Sequence, residues 1–288
     1  MPSMIELIKE LRDRTGAGMM DCKKALEASN EDVEKAIDWL REKGIAKAQA
    51  KASRIAAEGL AHIEIEGDKA VIVEVNCETD FVSKGEKFHK LTEDVAKATL
   101  AGGFKTIEEA KEATKQLFTD ATVAMGEKLD YRRFEVATKA AGEGFGSYVH
   151  MGGKIGTLVV LEKEDAELAK GLAMHIAANS PKYVSEADIP ADVIEHEKGI
   201  FLEQIKDDPK MAGKPEQMIQ GIVAGKVKKL LAESVLGTQV YLMDGEKSVA
   251  AVLKEKGNNV KKFVRFAVGE GIEKRQDDFA AEVMSQIK

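Results

Sequence analysis

The feature that most constrains the fold is a pattern of two strands followed by a helix, which occurs twice along the chain. In the first copy, residues 60–75 alternate between apolar and polar positions around a Gly-Asp turn. In the second copy, residues 147–161 form a similar pair of strands around a Gly-Gly turn. A helical apolar stripe follows each pair. The pattern predicts an α+β fold whose core has two related α/β halves with antiparallel sheets, and a coincidence between two unrelated units is the alternative.

The two copies differ in the connection between the second strand and the helix. Aligning Gly67 with Gly153 gives an offset of 86, whereas aligning Leu91 with Leu172 gives an offset of 81. The first copy is therefore five residues longer here, and the additional residues fall at 79–82. Extra loops on a repeated scaffold are often functional.

The segment 79–82 has the composition of a binding loop rather than of a strand exit. It reads Thr79, Asp80, Phe81 and Val82, directly after a run that resembles a β-strand. A large aromatic residue exposed at this point contributes nothing to folding but can anchor an interface. The alternative is that Phe81 is a core residue beneath the loop.

Residues 1–44 carry three helical apolar stripes and predict a compact three-helix module. We expect Asn30 to cap the third helix and Gly44 to end it. A module of this size is marginally stable alone, so it is expected to dock on the rest of the chain or on a partner. Residues 45–58, rich in Ala and Lys, predict a solvated helical linker.

The remaining sequence divides by the same kind of pattern. The first half of the core is predicted over 59–140 and includes a helical region at about 106–128, and the second half covers 141–189 and 237–268. Residues 190–236 predict an antiparallel helical hairpin. This hairpin either packs on the main body or forms a protruding arm or dimer contact. Further predictions are strands at 239–243 and 260–268, a short helix around 249–254, and a terminal helix at 276–287.

Composition and motifs exclude several classes of function. The net charge of −7 argues against generic nucleic-acid binding, and no apolar run approaches the length of a membrane span. Phosphate-binding, serine-nucleophile and zinc-protease motifs are absent, and the five histidines lack metal spacing. We therefore expect no cofactor, no metal and no enzymatic activity. Cys22 and Cys77 are expected to be reduced thiols of a cytoplasmic protein, and no signal peptide is evident at the N-terminus.

Two segments resemble signatures of the bacterial elongation factor Ts family. They are residues 11–26, LRDRTGAGMMDCKKAL, and residues 74–84, EVNCETDFVSK. The resemblance implies a ubiquitin-associated-like fold for the N-terminal module and a core of two related halves. It also implies that the hairpin at 190–236 is an inserted coiled coil and that 269–288 form a C-terminal helical module.

The resemblance also implies a function, which is guanine-nucleotide exchange on elongation factor Tu in translation elongation. The protein would bind the GDP-bound and nucleotide-free forms of this GTPase. Phe81 would wedge into an apolar pocket near the magnesium site, Asp80 would compete for polar groups there, and Thr79 and Val82 would set the geometry. Further contacts implied by the resemblance are Arg12, Thr15, Gly16, Met19, Met20, His150, Met151, Asp278 and Phe279.

Two questions stay open at this stage. Met19 either closes the three-helix core or contacts the partner. The family forms complexes with one or two copies of each partner, so a homodimer or a two-by-two complex is possible. The alternative function is a chaperone-like or scaffolding binder that uses the helical hairpin.

Overall fold

The computed structural model describes residues 2–206 and 214–273. The helices are α1 Met4–Thr15, α2 Met19–Ala28, α3 Val33–Lys51, α4 Asp80–Ser83, α5 Glu86–Gly102, α6 Ile107–Met125, α7 Ala166–Asn179, α8 Ala191–Lys206, α9 Glu216–Ala232 and α10 Val249–Lys256. The strands are β1 Glu58–Glu66, β2 Lys69–Cys77, β3 Asp130–Thr138, β4 Gly144–His150, β5 Ile155–Leu161 and β6 Val260–Ala267. The mixture of helices with two small sheets confirms the predicted α+β class.

Helices α1, α2 and α3 pack around a small core that includes Leu11, Cys22 and Leu26, all fully buried. The predicted cap at Asn30 is wrong. Asp32 caps α3 by accepting a hydrogen bond from the backbone N–H of Lys35 at 3.1 Å, because its short carboxylate reaches the first turn.

Gly44 does not end α3, which continues to Lys51. Its lack of a side chain serves packing against α6, since a Cβ at this position would lie 2.5 Å from Cγ2 of Val123. The three-helix module is thereby held closely against the first half of the core. A glycine inside a helical pattern therefore marked a close approach here, not a helix end.

The first sheet has the order β1-β2-β3 and is antiparallel throughout. Strand β2 is central and nearly completely buried, and helices α5 and α6 supply the rest of this core. The predicted stripe of α5 is confirmed, with Phe88, Leu91 and Val95 buried. Strand β3 was not predicted, although its partner strand had been.

The second sheet has the order β4-β5-β6, and α7 packs with it through a core that contains Leu161, Leu172 and Ile176. The predicted strand at 239–243 is wrong. These residues form an irregular loop in which Val240 makes a single bridge to Ser248. The chain instead buries Tyr241 as an isolated anchor beside α7, which explains why the segment is apolar without being a strand.

Helices α8 and α9 pair with each other, as predicted for the hairpin. Their shared core consists of Ile205, Val223, Val227 and Leu231. The connection between the two arms, and the predicted terminal helix at 276–287, lie outside the described residues.

The described chain forms two compact units. The first contains residues 2–138, 149–156 and 266–273, and the second contains Lys139–Tyr148 and the described part of Thr157–Arg265. In the first copy of the repeated pattern, the connection from strand to helix spans residues 78–85 and includes α4; in the second copy it spans residues 162–165 and contains no helix. The extra length of the first connection is thus α4 itself.

Candidate functional site

Residues 80–83 form a single helical turn, α4, where the sequence predicted a loop at 79–82. Thr79 is its N-cap, and its Oγ1 accepts a hydrogen bond from the backbone N–H of Val82 at 3.4 Å. The Val82 side chain packs against the core of the first half. Phe81 points away from that core and is 86% exposed, so the interpretation of Phe81 as a core residue is wrong.

A residue that sequence reasoning missed holds this turn in place. The carboxylate of Glu127 accepts hydrogen bonds from the backbone N–H groups of Glu78 and Thr79, both at 3.0 Å. It also accepts the hydroxyl hydrogen of Thr79 at 2.6 Å. Nothing in the sequence near position 127 signals this role, because the contact joins residues almost fifty positions apart.

Asp80 lies on the same turn as Phe81 and is partly exposed. Its Oδ2 is 2.6 Å from Nζ of Lys84, one helical turn further on. The hydrogen bond from Lys84 lowers the pKa of Asp80 below its ordinary value, so the carboxylate is ionised at neutral pH. An exposed pair of this kind contributes little to stability and can exchange partners readily.

Cys77 lies beneath the turn and is fully buried. Its Sγ donates a weak hydrogen bond to the carbonyl oxygen of Thr79 at 3.2 Å. Burial, followed by the nearby charge of Glu127, raises the pKa of Cys77 to about 12. The thiol is therefore protonated at neutral pH, which is the opposite of an activated nucleophile.

The first turn of α2 exposes a pair of methionines. Met19 and Met20 are 58% and 63% exposed, so Met19 does not close the three-helix core. Gly16 ends α1 in a left-handed conformation, with φ of 68°. Its carbonyl oxygen accepts a hydrogen bond from Nζ of Lys87 at 3.0 Å. Because Lys87 lies in the first turn of α5, the methionine pair and α4 are both anchored to the same helix.

The other residues implied for this end of the molecule are also accessible. Arg12 is exposed on α1, and Thr15 is half-buried with its hydroxyl donating to the carbonyl oxygen of Leu11 at 2.6 Å. The sequence thus placed a set of accessible residues in the N-terminal module, although the module's contact with a partner remains a prediction.

The tip of the β4–β5 hairpin forms a further exposed apolar surface in the first unit. Met151 is 70% exposed and Val149 is 45% exposed, and His150 between them is also exposed. Lys154 fixes this tip to β1, with Nζ 2.6 Å from the Glu58 carboxylate. Asp278 and Phe279, which the resemblance implied as contacts, lie outside the described residues.

The second unit has an exposed apolar segment that the sequence did not identify as a surface. Val240, Leu242 and Met243 are 55%, 49% and 49% exposed in the loop that follows α9. The run of four consecutive apolar residues at 240–243 predicts a strand, and only the tertiary structure shows that three of the four face solvent. This loop is a further candidate contact surface.

Metal binding and membrane insertion have no support within residues 2–206 and 214–273. No group of three or more His, Cys, Asp or Glu residues that could hold a metal ion occurs there. Within those ranges, no helix is both long and apolar enough to span a membrane.

The first unit carries an exposed aromatic residue, an ionised carboxylate and a methionine pair on one scaffold. The family model for elongation factor Ts matches residues 78–270, and the chain belongs to that family. The match includes α4, α5, α6 and β3 of the first sheet's half and all of the second sheet, whereas β1 and β2 precede it. The family supplies nucleotide exchange for elongation factor Tu during translation elongation.

Proposed function

We propose that this protein releases GDP from elongation factor Tu by inserting Phe81 into the GTPase, without covalent chemistry of its own. The single observation that carries the proposal is the 86% exposure of Phe81 on a turn whose backbone is fixed by Glu127. Because the backbone at the start of this turn is already held before the partner arrives, binding through Phe81 loses less backbone entropy than binding through an unstructured loop.

Burial of Phe81 supplies part of the driving force for exchange. Complete burial of a phenylalanine side chain is worth about 1.5–3 kcal/mol. An apolar pocket that opens only when the elements around the magnesium site have shifted would receive Phe81 in the nucleotide-free state alone. The free energy of burial would then favour that state over the GDP-bound state.

Asp80 acts beside Phe81 in this proposal. Its ionised carboxylate is directed toward the partner's magnesium and phosphate site, where it competes for polar groups that otherwise hold the nucleotide. Lys84 keeps Asp80 charged in the free protein, and their exposed ion pair opens at small cost when the partner offers new donors. Thr79 and Val82 fix the turn from its two sides, one through Glu127 and the other through the core.

Exchange follows from thermodynamic coupling between the two ligands of the GTPase. If the factor weakens GDP binding by a given ratio, GDP weakens binding of the factor by the same ratio. GTP binding then displaces the factor and restores the loaded GTPase. Both the GDP-bound and the nucleotide-free forms of elongation factor Tu are therefore partners.

Other exposed groups extend the same interface in our proposal. The N-terminal module, with a ubiquitin-associated-like fold, would contact the nucleotide-binding domain through Arg12, Thr15, Gly16, Met19 and Met20. Methionine side chains suit such a contact because they are flexible and polarisable. His150 and Met151 would contact another domain of the GTPase, as would Asp278 and Phe279 of the C-terminal module.

Release of a fluorescent GDP analogue tests the proposal. Elongation factor Tu loaded with the analogue is mixed with excess unlabelled GDP, and this protein is added in substoichiometric amount. We expect release of all the labelled nucleotide at a rate that rises with the concentration of the protein. Release no faster than the spontaneous rate would refute the exchange function.

A scaffolding or chaperone-like role through α8 and α9 is the second candidate. Ile200, Leu202, Met218 and Leu230 are exposed on these helices, which favours contact with another chain. Light scattering of the complex with elongation factor Tu would distinguish a one-to-one from a two-by-two assembly. Suppression of aggregation of an unrelated unfolded protein, without exchange activity, would favour the chaperone-like role.

A further inference from the structure

We propose that Glu127 is a positioning residue that holds α4 in the conformation required for nucleotide exchange. This inference deepens the proposed function and depends on it. Glu127 lies two residues after the last residue of α6, Met125. It acts through Thr79 and does not itself need to touch the partner.

The carboxylate of Glu127 satisfies three donors at the entrance to α4. The backbone N–H groups of Glu78 and Thr79 both reach Oε2, at 3.0 Å each, and the Thr79 hydroxyl reaches Oε1 at 2.6 Å. Hydrogen bonds to a charged acceptor are stronger than neutral ones. Both oxygens are used, so the carboxylate fixes the direction of the chain as well as its distance.

The Thr79 hydroxyl takes part in two hydrogen bonds at once, one as acceptor and one as donor. Its oxygen accepts the N–H of Val82 and so caps α4, while its hydrogen is donated to Glu127. The orientation of the hydroxyl that suits the cap is therefore also the one that suits the carboxylate. Loss of the acceptor at position 127 would free the hydroxyl to rotate and would weaken the cap of a helix only one turn long.

Glu127 is itself held by its neighbours on both sides. Gly126 ends α6 with φ of 73°, and its N–H donates to the carbonyl oxygen of Thr122 at 2.9 Å. On the other side, the N–H of Lys128 donates to the carboxylate of Glu78 at 2.6 Å. The segments around 78 and 127 thus exchange hydrogen bonds in both directions, which makes a reciprocal brace.

The same segment is tied to the N-terminal module. Nζ of Lys51, at the end of α3, donates to the carbonyl oxygen of Gly126, and Nζ of Lys128 donates to the carbonyl oxygen of Arg54 at 2.7 Å. Residues 126–128 therefore connect the module that carries Met19 and Met20 to the turn that carries Phe81. The two proposed contact surfaces keep a fixed separation within the first unit because of this connection.

Without the hydrogen bonds of Glu127, a smaller fraction of molecules would hold α4 in the conformation that binds the partner. If α4 is competent for one tenth of the time, the apparent affinity for the partner falls about tenfold. In Glu127→Gln, the amide has one oxygen for three donors, and its NH2 group faces N–H groups. We expect the second-order rate constant for GDP release to fall about five- to tenfold in this variant. Glu127→Asp keeps the charge with a shorter reach, and we expect an intermediate loss.

The matched control is Glu112→Gln. Glu112 is an exposed carboxylate of α6, and its ion pair with Lys115, at 3.2 Å, joins neighbouring turns of the same helix. This variant removes one negative charge, as Glu127→Gln does, so it controls for the change in net charge. We expect it to exchange nucleotide at the wild-type rate.

A double substitution separates positioning from general stabilisation. Glu127→Gln is introduced into the wild-type protein and into Phe81→Ala, and both rates and thermal midpoints are measured. If Glu127 acts through the position of Phe81, the substitution lowers the rate in the first background and adds less than about twofold in the second. An equal loss of rate in both backgrounds, or a wild-type rate in Glu127→Gln, would overturn the proposal.

Amide hydrogen exchange of the peptide that covers residues 78–83 provides a readout independent of nucleotide release. We expect these amides to lose protection in Glu127→Gln while those of β2 keep it. If the wild-type protein releases no nucleotide, the exchange function fails, and the amide measurement still decides whether Glu127 orders the turn. If nucleotide release is normal and protection is unchanged in Glu127→Gln, only the positioning proposal fails.

Discussion

Replacement of Phe81 by alanine should separate function from folding more cleanly than any other single change. The side chain is 86% exposed, so removing its ring deletes few contacts within the chain. Surface substitutions of this kind usually change the free energy of unfolding by less than about 0.5 kcal/mol. If the ring is buried in the partner, its loss costs about 1.5–3 kcal/mol of interaction. Since about 1.4 kcal/mol corresponds to a factor of ten, the second-order rate of GDP release should fall roughly 10- to 150-fold.

The assay is stopped-flow release of a fluorescent GDP analogue from elongation factor Tu, measured over a range of concentrations of this protein. Urea unfolding of the same preparations reports the stability of the variant. Ile65→Ala is the matched control, because Ile65 is an apolar side chain of β1 that is 41% exposed and has no proposed role in the interface. A rate for Phe81→Ala within twofold of the wild type, in a protein of unchanged stability, would refute the wedge argument.

Three further predictions concern the scaffold. Glu74 is fully buried between Arg132 and Arg133, and its Oε2 is 2.6 Å from Nε of Arg133. Glu74→Gln should therefore lower the free energy of unfolding, measured by urea titration, by about 3 kcal/mol. A loss below about 1 kcal/mol would contradict this. Burial raises the pKa of Cys77 from 9.0 to about 12. Between these two pH values the thiol ionises in the unfolded chain but not in the folded one, so the free energy of unfolding should fall as pH rises from about 9 toward 12. Cys77→Ser should abolish that part of the pH dependence. Gly44→Leu would place a side chain where even a Cβ lies 2.5 Å from Cγ2 of Val123. The variant should therefore lower the thermal midpoint of unfolding by several degrees. A midpoint equal to that of the wild type would mean that α3 and α6 can separate freely.

The sequence predicted the parts of the fold that depend on local periodicity. The stripe Phe88, Leu91 and Val95 indicated α5, and the alternation through residues 60–75 indicated β1 and β2. Periodicity gave a wrong prediction at residues 239–243, where a single residue is buried among exposed neighbours. Tyr241 is a single buried anchor in an irregular loop, yet its apolar neighbours imitate a strand.

Glycine and cap positions were predicted least well, because their meaning depends on neighbours in space. Gly44 was expected to end a helix, but it allows α3 to approach Val123 instead. Asn30 was expected to cap α3, but Asp32 has the geometry to reach the N–H of Lys35. Both errors arise from assigning a backbone role to a residue type before the path of the chain is known.

For the candidate site, the sequence by itself determined which residue types stand at 79–82 and predicted that they are an addition to one of two similar halves. Tertiary structure decided that Phe81 faces solvent, because exposure depends on what the rest of the chain covers. It also decided that the segment is a helical turn and that Glu127 holds it. The carboxylate and the turn are separated by almost fifty residues, and only the folded chain brings the acceptor to its three donors.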